Sequence, residues 1–152
     1  MAGLGLWLTY RLGKKLIGET VGLLAAVLTL TSPFFLMNSS SLLSHPFGLV
    51  LSASFVLGWL DAFIPQAGGA RAGNAWLYRS GVQDKRWLPT VAAAASLGML
   101  AITRPLTALA VAFPFGLHGL YLLICSDRNT RLRLITLGII VLAFASLHFA
   151  WQ

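Results

Sequence analysis

The sequence predicts an all-α fold, a polytopic transmembrane helix bundle of about five crossings, and three observations carry that prediction. The 152-residue chain is 57% hydrophobic and only 10% charged, with a mean hydropathy of +0.80. That leaves too little polar material to cover a water-soluble globule. The basic residues punctuate the apolar runs rather than interrupting them: ten of the eleven Lys and Arg fall into three groups, Arg11, Lys14 and Lys15, then Arg71, Arg79, Lys85 and Arg86, then Arg128, Arg131 and Arg133. Lys and Arg beside membrane helices are retained in the cytoplasm, so the groups are expected to share one face, with the N-terminus inside and the C-terminus outside. Finally, Trp7, Tyr10, Trp76, Tyr78, Trp87 and Trp151 lie near the ends of apolar runs, where interfacial belt residues belong.

The segments follow in order. Residues 1–10 place Leu4, Leu6, Trp7, Leu8 and Tyr10 ahead of the first basic group, a pattern expected of a short amphipathic helix lying along the cytoplasmic interface. The run 16–37 is of spanning length, too long for the apolar region of a signal peptide. Asn38-Ser39-Ser40-Ser41 and Ser44-His45-Pro46 supply a polar turn, and a second span occupies 47–64, stopped by Pro65. A cytoplasmic loop over 65–87 carries the central basic group. The third span, 88–103, is short and alanine-rich, which also suits a re-entrant or shallow helix. Only Arg104-Pro105 separates it from the fourth, 106–125, so these two are expected to form a tight antiparallel hairpin; the fifth covers 132–151. No repeat or polar second domain is evident, and 1–152 reads as a single integral membrane domain.

The formal charge of +7 would suit nucleic acid only if the basic residues were gathered on one exposed face with polar or aromatic readers. Topology accounts for them here, and no nucleic-acid partner is expected. A single cysteine, Cys125, excludes an internal disulfide framework and a thiolate metal cluster. There is no HExxH, CxxC or GxxxxGK[ST], so no metal, cofactor or catalytic residue is assigned.

Ionisable groups at membrane depth are costly, which makes four residues candidates: Asp61, His118, Glu19 and Arg104. Glu19 falls one turn into the first span, where a helix N-terminus favours a carboxylate and Lys15 is four residues away. Asp61 lies at the opposite, unfavourable end of its helix and therefore requires a cation, for which Lys14, Lys15, Arg71 and Arg79 are on the right face. His118 follows Pro114 and sits between Gly116 and Gly119, deep in the fourth span; an interhelical hydrogen bond is its simplest role. Counted at about 1.5 Å per residue, His118 and His148 differ in depth by about 12 Å, which argues against a heme between them. Arg104 is the one basic residue on the outer face.

Small residues at four-residue spacing mark helix-packing or partner-docking stripes: Gly18, Gly22 and Ala26 on the first span, and Ala92 with Ser96 and Ala94 with Gly98 on the third. With these stripes and no catalytic constellation, the sequence is expected to encode a non-catalytic accessory, assembly or scaffold subunit of a bacterial inner-membrane complex. Its expected partners are the lipid bilayer and another membrane protein or a second copy. A small oligomeric transporter using Asp61, His118 and Arg104, and a lipid- or isoprenoid-modifying enzyme using Glu19 and Asp61, are the alternatives.

Overall fold

A computed structural model describes residues 2–40, 45–64 and 87–151. The described chain is all-helical: α1 (Ala2–Leu16), α2 (Glu19–Thr31), α3 (Pro33–Ser40), α4 (His45–Phe63), α5 (Trp87–Thr103), α6 (Pro105–Cys125) and α7 (Arg128–Trp151). Three of these helices, over 46–63, 105–125 and 128–147, are long and apolar enough to cross a membrane, whereas α2 and α5 are shorter apolar helices. The central loop with Arg71, Arg79, Lys85 and Arg86 lies outside the described residues, as do the aromatic residues Trp76 and Tyr78 within it.

The helix α4 is the hub. It is apolar on all sides, as a helix surrounded by other helices must be. One side contributes Leu51, Phe55, Trp59, Ala62 and Phe63 to the main core, against Ala93, Ala94, Leu97 and Leu100 of α5, Ala108 of α6, and Leu134 and Leu137 of α7. Its other side, Val50, Ala53 and Leu57, packs on Leu8 and Leu12 of α1. Aromatic rings lock the main core: Phe115 of α6 meets Phe55 edge-on at 5.2 Å and Trp59 at 5.5 Å.

Two expectations about the amino-terminal third need correction. The run 16–37 does not form one helix. Gly18, at φ 153°, occupies a region of backbone space open essentially to glycine alone, and there the chain reverses. A second break follows at Ser32, held extended with ψ 119° ahead of Pro33, whose ring disfavours a helical residue before it. Nor does α1 lie crosswise at an interface. Gly5 sits against Leu49 and Val50 near the start of α4, while Lys15 reaches Asp61 near its end, so α1 runs parallel to α4 along most of its length.

Beyond the hub, the hairpin of α5 and α6 matches the sequence, with Arg104 alone between the two helices. α5 is antiparallel to α4, Ala93 packing near Gly58 at one end and Arg104 reaching Gly48 at the other. α7 returns alongside α5, from Arg133 at the end of α4 to Phe144 against Gly98. The start of α1 and the end of α7 consequently share the Arg104 end of the bundle. Lys14, Lys15, Asp61, Asp127 and Arg128 occupy the other end.

Candidate functional site

One turn of α4, Trp59 to Ala62, receives polar side chains from three other helices. From α1, the Lys15 ammonium pairs with the Asp61 carboxylate, the two side chains being 23% and 39% exposed. From α6, His118 accepts a hydrogen bond at Nδ1 from the Trp59 indole N–H at 3.2 Å. An indole nitrogen only donates, so the imidazole must present a lone pair at Nδ1. From α7, Arg133 donates to the Ala62 carbonyl at 3.0 Å and lies over the Phe63 ring, its guanidinium carbon 5.9 Å from the centroid.

Each tie has a physical cause in the sequence. Asp61 stands where the helix dipole opposes a negative charge, and an ammonium compensates it. Arg133 completes a carbonyl of the last turn of α4, which has no partner within the helix, and the same guanidinium is anchored at 3.1 Å to Thr130 Oγ1. It is only 3% exposed, as is Trp59. A guanidinium at that depth is retained by such directed hydrogen bonds, since an unpaired charge there costs several kcal/mol.

At the same end of the bundle, Glu19 pairs not with Lys15 but with Lys14, at 3.1 Å, and also accepts a hydrogen bond from the Tyr10 hydroxyl at 3.1 Å. The turn at Gly18 explains the exchange: it swings Glu19 across from Lys14 and leaves Lys15 facing α4. A cleft of about 450 Å³ lies between α1 and α4, with Trp7, Tyr10, Arg11, Lys14, Lys15 and Asp61 on its walls. Glu19 and Asp61 are thus each held by a different lysine.

The small-residue stripes divide between buried and open positions, with Gly22, Ala94 and Gly98 buried within this chain. Gly22 is buried at the α1–α2 crossing, where an added Cβ would lie 2.6 Å from the Tyr10 carbonyl oxygen and 2.7 Å from the Lys14 nitrogen. Gly13 mirrors it from α1, which is why the hairpin closes so tightly. Gly18 is the turn itself, and Ala26 is half-buried. On α5, Ala94 is buried in the core and Gly98 seats the Phe144 ring, while Ser96 is half-buried and Ala92 faces outward.

Arg104 is remote from the polar turn, at the far end of α4, with its side chain laid across Gly48. The His148 side chain lies outside those described. Cys125 is a free, exposed thiol, and among the described residues no group of three or more His, Cys, Asp or Glu is placed to hold a metal ion. Trp59 and Arg133 are the participants that sequence reasoning passed over. No family model, curated protein or solved structure matches this chain.

Proposed function

We propose that this protein is a multi-pass integral membrane protein acting as a non-catalytic accessory, assembly or scaffold subunit beside another membrane protein. The observation that carries this reading is the engagement of Lys15, His118 and Arg133 with a single turn of α4. Groups otherwise suited to proton transfer or substrate contact are used to fix helices to one another. A transport path needs polar groups at successive depths, whereas His118 contacts Trp59, only two residues from Asp61 on the same helix. The outward faces are apolar: Leu109, Phe113, Leu117 and Leu120 form an exposed ridge on α6, available to lipid or to a partner helix.

In this reading the Lys14, Lys15 and Arg128 end faces the cytoplasm. All the helices except the short α3 then alternate across the bilayer, and the start of α1 and the end of α7 both face outward. Impermeant cysteine labelling of intact cells, with Cys125 replaced by serine, tests the arrangement: Leu4→Cys reacts from outside and Arg128→Cys does not. Reconstitution of the purified chain into liposomes tests the function. No solute flux is expected. Saturable flux abolished by His118→Ala or Asp61→Asn, with no partner present, would replace the scaffold reading by a transporter.

A further inference from the structure

At the end of the bundle away from the polar turn, α2, α3, α4 and α6 line an open cavity of about 560 Å³. Its walls are mainly apolar, with Phe34 and Phe35 from α3 and Leu28 from α2. The polar exceptions are one cation, Arg104, and the hydroxyl-bearing residues Thr29, Ser32, Ser52 and Thr107. Gly48 of α4 gives Arg104 its path into the cavity, since a Cβ there would stand 3.3 Å from Arg104 Cδ and 3.8 Å from Nη1. A guanidinium carries five N–H donors in a planar fork, so it engages an anionic oxygen pair while also keeping protein partners.

An apolar chamber with one forked cation at its rim has the chemistry of an amphiphile site. We propose that this cavity binds an anionic phospholipid, its phosphodiester oxygens against Arg104 and its acyl chain along Leu28, Phe34 and Phe35. The charge decides the class, because Arg104 is the one basic residue at this end among those described. The cavity volume lies within the range of about 300–1,000 Å³ typical of small-ligand sites, enough for a headgroup with part of a chain. This lipid site presupposes the membrane location proposed above.

Native mass spectrometry of the full chain released from mild detergent tests it, with phosphatidylglycerol and phosphatidylcholine offered in turn. One phosphatidylglycerol is expected to survive detergent stripping, and Arg104→Gln is expected to weaken its retention by about tenfold or more, the worth of a charge-assisted hydrogen bond. Arg104→Lys should retain part of it, and Arg128→Gln, at the other end, all of it. Gly48→Val keeps the charge but crowds the arginine and should resemble Arg104→Gln. Circular dichroism of each variant confirms folding; should Arg104→Gln not fold, Gly48→Val and the competition on the wild-type chain decide. Equal retention of phosphatidylcholine would overturn the proposal, as would undiminished retention in the folded variants. Displacement by millimolar inorganic phosphate would overturn the lipid in favour of a soluble anion. Alkaline carbonate extraction keeps the two readings apart: release of the chain from membranes defeats the membrane location, whereas an integral chain that holds no phosphatidylglycerol defeats only the lipid site.

Discussion

Separating Lys15 from Asp61 should loosen α1 from α4, and the effect should be specific to that lysine. The two side chains are 23% and 39% exposed, which puts the pair between two limits. Fully exposed pairs contribute about 0.2–1 kcal/mol, and breaking a buried pair by removing one partner costs about 3–5 kcal/mol. An intermediate cost of about 1–2 kcal/mol for Asp61→Asn follows from that partial burial. For a chain of this size it corresponds to a fall in melting temperature of roughly 2–8 °C. Thermal unfolding in mild detergent is the assay, run as a double-mutant cycle over Lys15→Met, Asp61→Asn and both together. A coupling energy of at least about 0.5 kcal/mol is expected for Lys15 with Asp61, and none for Lys14 with Asp61, because Lys14 is engaged by Glu19. Additive losses in the Lys15 cycle, or an equal coupling to Lys14, would refute the lengthwise packing of α1 that brings the pair together.

Gly22→Ala should destabilise the protein by about 1–3 kcal/mol through overpacking, since its Cβ would meet backbone at 2.6 Å; circular dichroism melts will show it, and Gly3→Ala, which has open space, should be close to neutral. His118→Ala should cost about 0.6–1.7 kcal/mol for the lost interhelical hydrogen bond, and Trp59→Phe should cost a similar amount while keeping most of the ring packing; a cycle between them reads the shared term. Asp127 gives a pH signature: the Thr130 hydroxyl, at 2.7 Å, and to a lesser degree its own backbone N–H, the Arg133 charge and the Asn129 N–H hold its carboxyl below the ordinary aspartate value. A depressed folded-state pKa contributes stability that is complete above the unfolded value and is lost as pH falls through the folded one. Asp127→Asn should therefore flatten the acid side of the stability profile measured by melts from pH 6 down to about pH 3.

The carboxylate at 61 was legible as a residue in need of a cation because its place on a helix C-terminus follows from the end of an apolar run. Which lysine would serve was not legible. Lys14 and Lys15 are adjacent, and the choice depends on the direction α1 takes after Gly18. In the sequence that glycine belongs to a small-residue stripe, and glycine spacing alone does not distinguish a packing contact from a reversal at positive φ. The same ambiguity made α1 resemble an interfacial helix: its Trp7, Tyr10 and basic residues suit a membrane surface, and they equally suit a cleft wall beside Asp61. His118 was expected to bond across helices, but its partner, Trp59, carried no signal, since an indole within a spanning run looks like any other apolar residue. Arg133 was counted as an orientation signal. Its reach to the Ala62 carbonyl depends on helix packing that no periodicity encodes. The Arg104 hairpin was legible because two apolar runs meet at an Arg-Pro break, where a charged residue and a proline favour a tight turn.

The convergence on α4 also sets a schedule for biogenesis. Lys15 emerges from the ribosome well before Asp61, so the first helices are made with an ammonium that has yet to meet its carboxylate. His118 and Arg133 are made last. Until they arrive, the Trp59 indole and the Ala62 carbonyl lack the partners they have in the finished molecule. A chain cut short after α5 would carry its central helix without those two partners. Completion of α7 is thus the event that seals the bundle, and the last basic group in the sequence acts as its latch.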